Sequence, residues 1–232
     1  MHREIINNIK RPTVNHRNIN TVIFDFDGTL AELNINFDLM RQSIDQLIDS
    51  FGIDVKRLKN SLILEKVQEV EALLETTLPG NARSFRVEAY RIIETIEVGA
   101  AANGRLFRRT KELLSSLTQL HIQTGIITRN CARAVYTVFP DLPKFCHVCI
   151  CREHVNNREK PDPYQLNYAL LSMKASHHDT IMIGDHPLDI KTGKNAGTLT
   201  AGVTTGHFKE KHFIEVGADF ILHEAADILT YL

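Results

Sequence analysis

Short apolar runs alternate with longer segments of helical period along most of this chain, and that alternation constrains its fold more than any other feature. Thr21-Val22-Ile23-Phe24 is β-branched and aromatic and stops at Asp25. Comparable runs are Ile122 to Ile127, His147 to Cys151, Thr180 to Ile183, Leu199 to Val203 and Asp219 to Leu222. Each is too short for a helix, and several are apolar on both faces, as buried parallel strands are. Between them Leu106, Leu113, Leu117 and Leu120 recur at helical spacing, as do Leu166, Leu170 and Met173. This pattern predicts an α/β fold with a Rossmann-like core: a doubly wound parallel sheet with helices on both faces.

The rhythm breaks once. Residues 34–103 contain no strand-like run, only helical periodicity. Ile63, Val67, Val70, Leu74 and Leu78 step by three and four, and so do Phe85, Ala89, Ile92 and Ile96. Pro79-Gly80-Asn81 separates these two helices, and Phe51-Gly52-Ile53-Asp54 separates the first from an earlier one. Such a stretch is too long for a loop. It reads as an inserted, all-helical cap domain over 34–103, with residues 1–33 and 104–232 forming the catalytic core. Residues 1–20 read as a peripheral arm.

Composition narrows the partners. Lys plus Arg (27) against Asp plus Glu (28) leaves a net charge of −1, which offers no attraction to nucleic acid or an anionic membrane. No apolar stretch approaches the ~20 residues that span a bilayer. The polar, basic start of the chain lacks the apolar region of a signal peptide. The four cysteines therefore read as reduced thiols of a cytoplasmic protein.

Ligands of open parallel α/β sheets bind beyond the carboxyl ends of the strands. The first strand ends in Asp25-Phe26-Asp27-Gly28-Thr29-Leu30, and the second in Thr128-Arg129-Asn130. The third is followed by Arg158-Glu159-Lys160-Pro161-Asp162-Pro163, and the fourth ends Gly184-Asp185-His186-Pro187-Leu188-Asp189. Four carboxylates meeting at one crevice repel one another and raise their own pKa values. A hard divalent cation with oxygen ligands, Mg²⁺, relieves that conflict. Cation and Lys160 together attract a phosphate dianion, Thr128 adds a hydroxyl, and backbone N–H groups of the turn at Gly28 can cradle phosphate oxygens. A carboxylate beside a bound phosphate can attack it. A second carboxylate two residues on faces the same side of an extended chain, where it can serve as acid and base.

These motifs, in this order, resemble the haloacid dehalogenase-like hydrolase superfamily in its phosphoglycolate-phosphatase-like branch. The likeness covers nearly the whole chain after residue 20, and the helical insert matches the family's cap. It implies that Asp25 is the nucleophile and Asp27 the general acid/base. It further implies that Thr128, Arg129, Lys160 and Gly28 bind phosphate, and that Asp25, Asp27 (through its carbonyl), Asp185 and Asp189 form the Mg²⁺ site. The expected activity is Mg²⁺-dependent hydrolysis of a small phosphate ester through an aspartyl-phosphate. Each motif alone has an ordinary structural reading: Asp-Gly a turn, Thr128 a helix cap, Lys160 a solvated charge, Asp185 and Asp189 a turn and a cap. Their succession at four strand ends selects the shared site.

Two rivals stay open: a phosphomutase of the same fold, and a non-catalytic protein that binds a phosphorylated ligand. Thr29, where family mutases often carry valine, favours hydrolysis. The stretch Ala31-Glu32-Leu33-Asn34 and the pair His186-Pro187 depart from the branch's usual residues and leave the substrate open. Arg83, Arg86 and Arg91 offer recognition of a second anionic group, although their spacing spreads them over more than one helix face. Zinc binding by His147, Cys149 and Cys151, with Cys146 and His154 nearby, is disfavoured. Ligands two apart on one strand sit about 6.6 Å apart, whereas two sulfurs on one zinc lie at most ~4 Å apart. Cys131 reads as a packing residue at a helix start.

Overall fold

The computed structural model of the chain describes residues 13, 14, 17–60 and 62–232. Most of the expected N-terminal arm lies outside them; within it, β1 (Thr13–Val14) pairs antiparallel with β2 (Arg17–Asn18). The core is a six-stranded, all-parallel sheet: β3 (Thr21–Phe24), β6 (Gln123–Ile127), β7 (Val148–Ile150), β8 (Thr180–Gly184), β9 (Leu199–Val203) and β10 (Phe220–Leu222). Spatial order is β10-β9-β8-β3-β6-β7, with Phe24 beside both Ile126 and Ile183. The first core strand is thus central. The chain builds outward to β7 on one side, then crosses back to build β8, β9 and β10 on the other.

Alternation within each strand loads both faces of this sheet. Val22, Phe24, Ile126, Ile181 and Ile183 join one apolar cluster, while Ile23, Ile127 and Met182 join another. Helix α6 (Tyr164–Met173) covers the second face through Leu166, Leu170 and Met173. Helix α4 (Thr110–Gln119) covers the first through Leu113, Leu114 and Leu117. Leu106 and Leu120 fall off that helical face. Leu106 lies on β5 (Arg105–Leu106), because the Phe107 N–H and the Thr110 hydroxyl are both held by the Leu30 carbonyl, which delays the helix. Leu120 is exposed just past the helix end.

Between β4 (Ala31–Glu32) and β5 lie α1 (Phe37–Ser50), α2 (Ile63–Thr77) and α3 (Pro79–Ala101), and no strand occurs among the described residues of that stretch. β4 and β5 pair antiparallel, Ala31 opposite Leu106, so the chain leaves and re-enters the core through one narrow neck. The helices pack through Met40, Ile44 and Ile48, through Leu64, Val67, Val70 and Leu74, and through Phe85, Ala89 and Ile93. The inward face of α3 thus runs through Ile93, with Ile92 and Ile96 beside it; Leu78, expected to close the α2 stripe, is exposed between the helices. Pro79 occupies the first turn of α3, where its missing N–H costs nothing.

Candidate active site

Because β3 is central, its carboxyl end is the place where the strand order reverses, and a crevice opens there. All eight residues expected at the site (Asp25, Asp27, Gly28, Thr128, Arg129, Lys160, Asp185 and Asp189) line one cavity of about 720 Å³ at that crevice. The strand that supplies each is parallel to its neighbour, so successive strand ends open on the same side of the sheet.

Asp25 follows β3 directly and is 8% exposed. Its Oδ1 stands 2.7 Å from Lys160 Nζ, and Lys160 Nζ stands 2.5 Å from Asp189 Oδ1. Lys160 is itself only 3% exposed, which removes the reading of a solvated charge. Burial alone would lower the Lys160 pKa; the Asp189 and Asp25 carboxylates reverse this, and it lies raised. Burial pushes the Asp25 carboxyl up, against the pull of Lys160. Asp189 is fully buried, and its second oxygen accepts the His186 N–H at 3.0 Å, so it caps α7 (Pro187–Ala196) while it anchors Lys160.

Asp27 Oδ1 accepts the Leu33 N–H at 2.9 Å. Burial pushes its carboxyl up to about 6, opposed by that hydrogen bond and aided by the Asp25 charge. Asp185 is pushed up to about 9, by burial first and then by Asp25 and Asp189. Its carboxylate is wedged between Gly28 and Gly206, where a Cβ on either glycine would collide with it. Gly28 therefore meets a steric need and also a conformational one, at φ +80. Its N–H donates to the Ala31 carbonyl at 2.7 Å, and the Thr29 N–H faces the Phe26 carbonyl, so both amides are engaged within the turn.

Carboxylate oxygens of Asp25, Asp185 and Asp189 all lie within 4.8 Å of one another. Three carboxylates this close, with burial raising the pKa of Asp25 and of Asp185 and glycines closing the cradle, have the donor chemistry a hard divalent cation requires.

Thr128 is fully buried. Its hydroxyl donates to Asn130 Oδ1 at 2.8 Å and accepts the Asn130 N–H at 3.1 Å; the cap of α5 (Ala132–Val138) is Cys131 instead. Arg129 reaches across to the helical insert, its guanidinium 2.7 Å from Glu65 on α2. His186 caps α7 by accepting the Leu188 N–H at 3.0 Å, and burial, seconded by Lys160, lowers its pKa to about 4, which keeps the ring neutral. Arg83, Arg86 and Arg91 do not line the cavity; Arg86 pairs with Glu71 and Arg91 with Glu88.

Several participants lay beyond the sequence reading. Buried Gln165 donates to the Thr128 carbonyl at 2.9 Å and so supports the second strand end from α6. Thr205 donates to the Gly28 carbonyl at 2.5 Å, and Gly206 packs on Asp185. This pair follows the fifth strand, so the rule applied to the other four strand ends could have found it. Glu97 on α3 makes a buried, two-pronged ion pair with Arg152, at 2.6 and 3.0 Å, and also accepts the Cys131 N–H. The sulfur spacing used against zinc is corrected: Cys149 Sγ and Cys151 Sγ stand 3.6 Å apart, because β7 ends at Ile150 and Cys151 already begins a turn. Burial raises the Cys131 thiol to about 12, which suits a packing residue.

The sequence model described as haloacid dehalogenase-like hydrolase matches residues 22–203, which hold all eight expected site residues. The chain belongs to that family. It is similar to the pyrophosphatase PpaX of Anoxybacillus flavithermus, at 28% identity over 93% of this chain and 97% of that one. It is also similar to the N-acetylmuramic acid 6-phosphate phosphatase of Pseudomonas putida, at 26% identity over 90% and 94% of the two chains. A hydrolase of the haloacid dehalogenase-like family from Streptococcus pneumoniae superposes with a TM-score of 0.60 at 17% identity, over 92% of this chain and 98% of that one. The description of the family is that of hydrolases. No helix among the described residues is long and apolar enough to cross a membrane.

Proposed function

We propose that the chain is a Mg²⁺-dependent phosphatase of a small phosphorylated metabolite, acting through an aspartyl-phosphate on Asp25. The observation that carries this reading is the convergence of Asp25, Asp27, Lys160, Asp185 and Asp189 at one switch point. Asp25 and Asp185, with the backbone carbonyl of Asp27, would hold the cation, and Asp189 would steady Lys160 beside them. Bound there, Mg²⁺ supplies charge neutralisation for carboxylates and phosphate oxygens.

The chain's own groups divide the remaining work. Asp25 attacks phosphorus and the ester oxygen departs with the proton that Asp27 donates; Asp27 then takes a proton from the water that hydrolyses the aspartyl-phosphate. A carboxyl near pH 6 holds and releases a proton readily at neutral pH, which fits both services. Lys160 and Thr128 hold phosphoryl oxygens, and Arg129, already bonded to Glu65, ties the strand end to the insert. Residues 34–103 act as a cap on a core of 1–33 and 104–232, and restrict water at the reacting centre. The free thiols suit a cytoplasmic enzyme.

The test is turnover of p-nitrophenyl phosphate by the parent and by Asp25→Asn, with and without Mg²⁺. Parent activity that depends on the cation and disappears in the variant supports the reading. Wild-type turnover by the pure variant refutes the covalent route.

A further inference from the structure

The cavity that holds Asp25 is far larger than a phosphate group needs. At about 720 Å³ it lies within the range of pockets that enclose drug-sized molecules. Away from the strand ends apolar side chains make up much of its wall: Phe37, Leu62 and Ile63 from the helical insert face the cavity together with Phe107, Leu188 and Phe208 from the core, with Glu32, Asn34, Arg41, Glu97 and His207 among them. Phe37 is 46% exposed and Leu62 41% exposed, so these side chains present bare hydrocarbon to the cavity instead of filling the cap's own core.

The cations of the same cavity are already engaged. Its lysines and arginines are Arg41, Arg129 and Lys160. Arg129 is paired with Glu65 at 2.7 Å, Arg41 with Asp38 at 3.3 Å, and Lys160 with the two aspartates at the phosphoryl end. The three arginines of α3 expected to offer recognition of a second anion, Arg83, Arg86 and Arg91, lie outside the cavity. A carboxylate or second phosphate on the substrate would therefore compete with the Glu65 and aspartate pairs of Arg129 and Lys160, and a sugar lying along Phe37, Leu62, Phe107 and Phe208 would leave hydroxyls against hydrocarbon.

We infer that this site takes the phosphate monoester of an uncharged, largely apolar alcohol, whose hydrocarbon part lies between Phe37 and Leu62 of the insert and Phe107, Leu188 and Phe208 of the core. The inference rests on the phosphatase reading and adds the substrate class to it.

The experiment is a series of linear monoalkyl phosphates from ethyl to hexyl, assayed in Mg²⁺ beside p-nitrophenyl phosphate, pyrophosphate and phosphoglycolate. The alcohols along the series are nearly equal leaving groups, so a trend in kcat/KM reports the hydrocarbon. Burying one methylene is worth about 0.8 kcal/mol, or about fourfold per carbon. The expected result is a rise approaching that slope, with hexyl phosphate exceeding pyrophosphate and phosphoglycolate. Phe37→Ala and Leu62→Ala should flatten the slope, while Leu171→Ala, on an exposed face of α6 outside the cavity, should leave it unchanged. A flat or falling series, or preference for either competitor that carries a second anionic group, would overturn the substrate class and leave the phosphatase reading standing. An unaltered slope in both cap variants would likewise overturn it. Absence of turnover on every ester, nitrophenyl included, would remove the phosphatase reading and the inference together.

Discussion

Replacing Asp27 by asparagine should make the metal-free protein more stable at neutral pH while it disables the enzyme. The carboxyl of Asp27 is pushed from an ordinary 3.8 up to about 6, by burial above all. The native state therefore binds more protons than the unfolded chain between about pH 4 and pH 6, and stability falls as pH rises through that window. At 1.36 kcal/mol per pH unit, the full rise corresponds to about 3 kcal/mol, lost by pH 6 and constant above it. An asparagine cannot ionise, yet its Oδ1 can still accept the Leu33 N–H that Asp27 accepts at 2.9 Å. The variant should thus match the parent near pH 4 and exceed it by up to about 3 kcal/mol at pH 7. Urea titrations of chelator-treated protein at pH 4.5, 5.5 and 7 measure the gap, which at typical slopes moves the midpoint by about 1–2 M. Kinetics then separate the proton roles. The variant should lose roughly 10²–10⁴-fold on an alkyl phosphate, much less on nitrophenyl phosphate, and should accumulate an aspartyl-phosphate visible by intact mass after quench. A variant no more stable than its parent at pH 7 would refute the burial argument; equal losses across leaving groups with no phosphoenzyme would refute the acid/base role.

Further expectations concern the remaining groups. Asp25→Asn should keep the fold, by circular dichroism, and lose turnover uniformly across leaving groups; a loss graded by leaving group would contradict its role as nucleophile. Chelation should abolish hydrolysis and Mg²⁺ restore it, whereas Ca²⁺, with a larger and looser shell, should restore it poorly; full activity in metal-free buffer would exclude the cation's role. Glu97→Ala should cost roughly 3–5 kcal/mol by urea unfolding, because it strands the Arg152 guanidinium, whose side chain is 5% exposed. Replacing both partners by methionine should cost clearly less, and a double variant as damaged as the single would argue against a stranded charge.

Much of this molecule is legible from local spacing. Side chains alternate along a strand, so Val22 and Phe24 must part from Ile23, and the structure sends them to opposite faces of the sheet. The same rule puts carboxylates at Asp25 and Asp27 where an apolar strand runs out. Helical steps of three and four identified Val67, Val70 and Leu74 as an inward stripe, and the absence of strand runs over 34–103 marked the insert. Where spacing alone was ambiguous, it erred by one position: the buried isoleucine of α3 is Ile93, with Ile92 only partly buried beside it.

What the tertiary structure decided are the relations between elements distant in sequence. Lys160 stands between Asp25 and Asp189, Arg129 spans to Glu65, and Glu97 reaches Arg152. The strand order that makes β3 central sets the first of these, and the docking of the insert sets the other two. The 3.6 Å between Cys149 and Cys151 depends on where β7 stops pairing with β6. Whether a charged side chain is solvated or buried also waits on the fold: Lys160 reads as a loop lysine until three strand ends close around it. Local periodicity depends on bonds each residue makes with its near neighbours, and those are written along the chain. Desolvation and Coulomb forces act through space, so the pKa values of Asp27 and Asp185, and the walls that would hold a substrate, exist only once the chain has brought its distant parts together.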